Sequence, residues 1–185
     1  MWGYNRYTKQ TVNIGSAFLQ NEWKNEKWSI LLGGRLDKHN LINHVIFSPR
    51  ANLRFNPSED INLRLSYSSG FRAPQAFDED LHIENVGGTV SMIERAKNLK
   101  EEKSQSFSAS ADMYHRFGAF QVNFLVEGFY TRLSDVFVLE NIGERDGILI
   151  KERRNGSGAK VLGLSMEGKM ACLSLFQLQA GVTLQ

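Results

Sequence analysis

Cysteine is almost absent: Cys172 is the only one in 185 residues, so neither an intrachain disulfide nor a cysteine-held metal site can form. No apolar run approaches the roughly 18 residues that a membrane helix needs. That excludes a helical span, but not a membrane strand, which needs an apolar residue only at every second position over about 10 residues. Net charge is also missing. The 22 Lys and Arg against 20 Asp and Glu leave +2, which gives no reason to expect nucleic acid or an acidic polymer. The opening Met1-Trp2-Gly3-Tyr4-Asn5-Arg6 carries no basic-then-apolar export signal, so the chain either stays in the cell or starts downstream of its natural beginning. No Ser-His-Asp order, catalytic carboxylate pair or glycine-rich phosphate loop occurs, and neither an enzyme nor a cofactor is expected.

What is present is alternation. Phe47, Ala51, Leu53 and Phe55 take one parity, and Ser48, Arg50, Asn52, Arg54 and Asn56 take the other. After a polar turn at 56–60, Ile61, Leu63, Leu65 and Tyr67 oppose Asn62, Arg64, Ser66 and Ser68. Side chains of a strand alternate faces, so each segment has one greasy and one strongly polar side. Arginines and asparagines in such numbers are not tolerated unpaired in a core. One face therefore meets something large and apolar, and the other meets water. The same period predicts about eight strands, near 12–24, 28–38, 45–56, 61–70, 104–116, 119–133, 159–170 and 174–185, the first with ambiguous parity. Helical spacing fits none of them better. The fold class is all-β, an antiparallel meander.

Short connections alternate with longer ones, the longest being 71–103 and 134–158. Tight turns at one end and long loops at the other are the pattern of an outer-membrane barrel with long extracellular loops. Trp23, Trp28, Phe55, Phe117 and Phe120 flank the short turns, while Phe47, Tyr67 and Tyr130 lie near the opposite strand ends, as two interfacial belts would. Both chain ends then fall on the long-loop side, which suggests a piece of a larger barrel with two raw sheet edges. A self-contained eight-stranded outer-membrane barrel, adhesive or structural, satisfies the strand count too. So does a soluble β-sandwich with its apolar parity against a second sheet.

The run FSPRANLRFNPSEDINLRLSYSSGFRAP resembles the barrel of TonB-dependent outer-membrane receptors, and Asn98-Leu99-Lys100-Glu101-Glu102-Lys103-Ser104 resembles that family's Asn-Leu-Lys-Pro-Glu-Lys-Ser, with Glu101 in the proline's place. Residues 17–23 and 161–167 are similar to weaker strand patterns of the family. The resemblance covers nearly the whole chain, and what it implies is specific. Residues 1–185 would be a partial transmembrane β-barrel domain without the family's plug, residing in the bacterial outer membrane. The whole receptor would import a scarce nutrient such as an iron–siderophore, haem or cobalamin. Its partners would be outer-membrane lipid, the small ligand, and TonB only through the missing plug region; the piece alone would not transport.

Candidate ligand-binding residues follow from loop and lumen positions. Arg72, within Phe71-Arg72-Ala73-Pro74, opens the longest loop and either faces an anionic ligand or anchors the loop. Asp78, Asp80, His82 and Glu84 alternate and either converge on a ligand or metal or stay solvated. Arg50 and Arg54, with Arg35, Arg64, Glu127 and Glu167, form either salt-bridged ladders or a solvated wall. His39, His44 and His115 have no partners at ligand spacing and default to the surface. Ile148, Leu149 and Ile150, between the turns at 144–147 and 155–158, predict a short hairpin arm.

Overall fold

The computed structural model describes residues 2–3, 6–7, 11–74, 91–145, 147–172 and 175–185, and every regular element among them is a strand. A two-stranded ribbon, β1 (Trp2–Gly3) and β2 (Arg6–Tyr7), comes first. Eight strands then make one antiparallel sheet: β3 (Ile14–Lys24), β4 (Trp28–His39), β5 (Val45–Ser58), β6 (Ile61–Arg72), β8 (Glu102–Phe117), β9 (Phe120–Ser134), β12 (Ala159–Cys172) and β13 (Phe176–Leu184). They neighbour one another in chain order. The remaining strands, β7 (Ser91–Arg95), β10 (Phe137–Arg145) and β11 (Ile148–Asn155), form a separate three-stranded sheet from the two long connections. The expected β10–β11 hairpin is there. Its partner β7, which runs parallel to β11 from Leu149↔Ser91 to Arg153↔Arg95, carried no signal in the sequence.

Local chemistry closes the short turns. Asn25 Oδ1 accepts from the backbone N–H groups of Lys27 and Trp28 at 3.0 and 2.8 Å, a side chain imitating the turn's own bond. Gly118 takes φ 58°, the left-handed conformation that a two-residue hairpin turn demands.

Register decides which residues share a face. One row runs Trp23, Ile30, Leu53, Leu65, Ala109, Gly128, Leu164, Leu184 from edge to edge. The adjacent residues make the row Lys24, Ser29, Arg54, Arg64, Ser110, Glu127, Ser165, Thr183 on the opposite face. The ambiguous first strand is thereby assigned. Trp23 joins the apolar face and Phe18 lies opposite Arg35.

Burial is reversed relative to a soluble domain. Along β4, Ile30, Leu32 and Leu36 are exposed, while Ser29, Asp37 and His39 are buried. Along β8, Phe107 and Ala109 are exposed while Ser106, Ser108 and Ser110 are half-buried. The one cluster of buried apolar residues, among those described, is small: Ile42, Ile46 and Ala73, with Phe71 against it. Eight strands in one sheet, with no second layer against the apolar face among the described residues, do not make a sandwich. Nor does β3 pair with β13, so the sheet is open. On β9 the apolar face runs from Phe120 to Tyr130, about 33 Å along the strand and about 25 Å deep once tilted by about 40°. That equals the height of a barrel's hydrocarbon band.

Candidate ligand-facing site at the long-loop end

The polar face is stitched across strands by hydroxyls. Ser66 meets Ser108 at 2.7 Å, Ser106 meets Thr131 at 3.0 Å, and Ser165 meets Thr183 at 3.0 Å. Two ion pairs of this face, by contrast, join residues two apart on one strand: Glu167 with Lys169 and Arg35 with Asp37. Ladders of cross-strand ion pairs are not what Arg50, Arg54 and Arg64 form. Arg54 stands directly opposite Arg64, and Arg64 Nε donates to Asn62 at 2.8 Å.

Richer chemistry lies at the long-loop end of this face. Arg35 and Asp37 share a side of β4, and Arg35 Nε donates to Asp37 Oδ2 at 2.7 Å. Register with β3 brings Ser16 opposite, and its hydroxyl donates to Asp37 Oδ1 at 2.6 Å. Both carboxylate oxygens are satisfied, which offsets the cost of burying Asp37 to 2% exposure. His39 follows on the same side. It is fully buried, which corrects the surface position expected of it: the chain turns back at Ile42, whose N–H donates to the His39 carbonyl at 3.1 Å, and Phe71 and Ala73 pack against Ile42 and Ile46. Its Nδ1 accepts from the Leu41 N–H at 3.0 Å, and Nε2 has no hydrogen-bond partner among the described residues.

Ser16, Arg35, Asp37 and His39 line a cleft of about 360 Å³ together with Arg72. Arg72 ends β6, pairs in register with Glu102 (Nη1 to Oε2 3.5 Å), and lies over the Phe137 ring at 5.4 Å. The other Glu102 oxygen accepts from the Phe137 N–H. Arg72 is thus both an anchor between β6, β8 and the second long connection, and half-exposed to the cleft.

Glu101 and Asn155 fasten the loop bases. Asn155 accepts from the Lys100 N–H at 2.8 Å and donates to the carbonyls of Lys100 and Asp135 at 3.1 and 2.7 Å. Glu101, 5% exposed, meets His44 Nε2 and Lys103 Nζ, each at 3.1 Å. Burial pushes its carboxyl up, but its backbone hydrogen bond, Lys103 and His44 outweigh that and hold it below the ordinary 4.5. His44 is therefore partnered rather than bland, while His115 stands exposed, edge-on to Phe117 at 4.2 Å.

Of the residues the sequence singled out, the cleft gathers Arg35, His39 and Arg72. Arg50 and Arg54 lie farther down the polar face, exposed. Asp78, Asp80 and His82 lie outside the described residues, as does Glu84. Among the described residues no His, Cys, Asp and Glu cluster suits a metal. Arg35 and Asp37 share a parity that spacing shows; Ser16 and His39 join them only through register and loop packing.

An open antiparallel meander with one exposed apolar face and one polar face has the make-up of a β-barrel wall. The chain belongs to the family described as TonB dependent receptor-like, beta-barrel, whose model matches residues 2–184. Family members are transport receptors and not enzymes. No curated protein matches the chain. Among solved structures it is similar to the siderophore receptor PirA from Pseudomonas aeruginosa, with TM-score 0.71 and 16% identity over 93% of this chain and 34% of that one. It is also similar to the ferric enterobactin receptor PfeA of the same organism, solved with enterobactin (TM-score 0.68, 17% identity, 94% and 27% covered). A third is the FrpB iron transporter from Neisseria meningitidis (0.68, 15%, 93% and 24%). The chain thus spans about a third or less of the receptors it matches.

Proposed function

We propose that this wall stands in the bacterial outer membrane, with lipid on its apolar face, as part of a receptor that takes up an anionic iron chelate. The reversed burial carries the membrane half of this reading. Exposed Phe47, Leu65, Phe107, Phe124 and Leu162 would be costly in water and are favourable in hydrocarbon. The ligand half rests on the cleft, whose half-exposed Arg35 and Arg72 guanidinium groups suit carboxylate or catecholate oxygens arriving from the loop end. Arg72, Arg50 and Arg54 keep their candidate role as a basic path along the lumen, and Asp78, Asp80 and His82 theirs in the loop. Iron chelates are what the names of PirA and PfeA indicate for those receptors. Energy coupling to TonB in this reading is supplied by a plug elsewhere in the receptor.

Lipids brominated along their acyl chains test the membrane half. In vesicles holding the full-length receptor, with its other tryptophans replaced by phenylalanine, Trp23 and Trp28 are expected to be quenched by the bromines. Quenching by aqueous iodide instead would refute it. Loss of ferric-siderophore binding in an Arg35→Ala, Arg72→Ala variant that still inserts tests the ligand half; undiminished binding would refute that half alone.

A further inference from the structure

The two long connections meet at one side chain. Asn155 closes β11, and its amide makes three hydrogen bonds at once. Oδ1 accepts from the Lys100 N–H at 2.8 Å, while Nδ2 donates to the carbonyls of Lys100 and Asp135 at 3.1 and 2.7 Å. Lys100 leads into β8, and Asp135 lies between β9 and β10. The Ala96 N–H donates to the Arg153 carbonyl at 2.9 Å and ties the first connection to β11 a second time. One acceptor and two donors on a single short side chain are what an amide supplies and a carboxylate does not.

The next residue is Gly156, and Asn-Gly occurs nowhere else in the chain. Packing holds glycine there: an added Cβ would lie 2.9 Å from a Val138 methyl group. The dipeptide is chemically labile. With no side chain on the glycine to shield it, its backbone nitrogen loses its proton and attacks the asparagine Cγ. A C–N bond closes a five-membered succinimide, and the side-chain nitrogen leaves as ammonia, taking up the proton. Water then opens the ring at either carbonyl, leaving an aspartyl or an isoaspartyl residue. No oxidant or reductant is required. Both partners of that attack are engaged here. The Gly156 N–H donates to the Val136 carbonyl at 2.7 Å, and the Asn155 amide cannot turn its Cγ toward that nitrogen without giving up its own three bonds.

We propose that Asn155-Gly156 is a masked site of self-modification, unreactive while this clasp is closed, and that its conversion releases both long connections irreversibly. A carboxylate at 155 would face the carbonyl oxygens of Lys100 and Asp135 with no proton to offer either. The isoaspartyl form would also lengthen the backbone by one carbon where residue 155 pairs with Phe137. The site thereby records opening of the clasp in covalent form. This inference needs the fold alone and neither half of the functional reading above.

The experiment follows the full-length receptor in heavy-oxygen water at mildly alkaline pH, once folded in detergent and once held unfolded in concentrated urea. Peptide mapping reads the oxygen label taken up at position 155. The unfolded receptor is expected to convert at least roughly 30-fold faster, the factor that four simultaneous hydrogen bonds impose on local opening. Equal rates would overturn the mask. Hydrogen exchange then compares the unaltered receptor with an Asn155→Asp variant. Amides at 99–101 and 135–137 should exchange about tenfold faster in the variant, with those of β9 unchanged. Exchange at the unaltered rate would show that conversion releases nothing and would overturn that half. Should the variant lose protection along β9 as well, and so fail to fold, receptor folded first and then aged to conversion takes its place, read against the same two outcomes.

Discussion

Two glycines show how the surroundings of a single residue set the cost of a methyl group. A Cβ at Gly163 would lie 2.5 Å from the Phe129 ring and 2.7 Å from the Leu184 carbonyl oxygen, the latter being backbone of the neighbouring β13. At Gly34 the Cβ would meet only the far edge of Phe47, also at 2.5 Å, and Phe47 is 59% exposed on the apolar face. A ring end with open space beside it can swing away; a paired strand cannot. Gly163→Ala is expected to cost about 1–3 kcal/mol, and Gly34→Ala under half of that, measured as denaturant unfolding of the receptor in vesicles. Equal costs would contradict the distinction. Glu101 provides the residue-scale pH dependence. Its carboxyl is lower in the folded state than its ordinary 4.5, so its contribution is fully present above that value and is lost as pH falls through the lowered one. Hydrogen exchange near residues 100–103 should therefore quicken only in acid below 4.5, and Glu101→Gln should remove the pH step. His44 is spaced from Glu101 by 57 residues, a distance over which no pattern in the sequence could pair them.

For the strands, parity is the controlling property. Neighbouring Phe124 and Leu125 point to opposite faces of β9: Phe124 aligns with Met113 and Gly168, and Leu125 with Asp112 and Glu167. Arginine at 124 places a guanidinium in mid-bilayer and is expected to cost about 2–4 kcal/mol, judged by unfolding in lipid vesicles. Arginine at 125 gains two carboxylates for neighbours and should cost well under half as much. A reversed order would assign the faces wrongly and end the membrane reading. All eight long strands were legible within a few residues, since alternation is written into consecutive positions and each hairpin turn is local. The hairpin β10–β11 was legible too, between turn residues that include Gly147 and Gly158 at φ 76° and 75°. The parallel joint of β7 to β11 was not: it links two connections whose own sequences are silent about each other.

At the scale of the whole molecule, the described residues form no layered core of the kind that lets a soluble domain stand alone. Its stability lies in eight paired backbones, with both outer strands, β3 and β13, left with an unpaired edge among the described residues. Phe18 and Leu19 on β3 are 82% and 81% exposed. The isolated chain, without detergent, is therefore expected to sediment as an associated species rather than as a monomer. A sharp monomeric boundary would show that the apolar face has found cover within the chain. The amino-acid sequence by itself determined the strands, their two faces and the alternation of turns with long loops, because a period of two and a tight turn need only neighbouring residues. Tertiary structure alone decided that Ser16 reaches Asp37, that His39 is buried, that Glu101 holds His44, and that Asn155 ties Lys100 to Asp135. Each of those depends on strand register or loop packing between distant segments, and interstrand hydrogen bonds rather than side-chain pattern fix it.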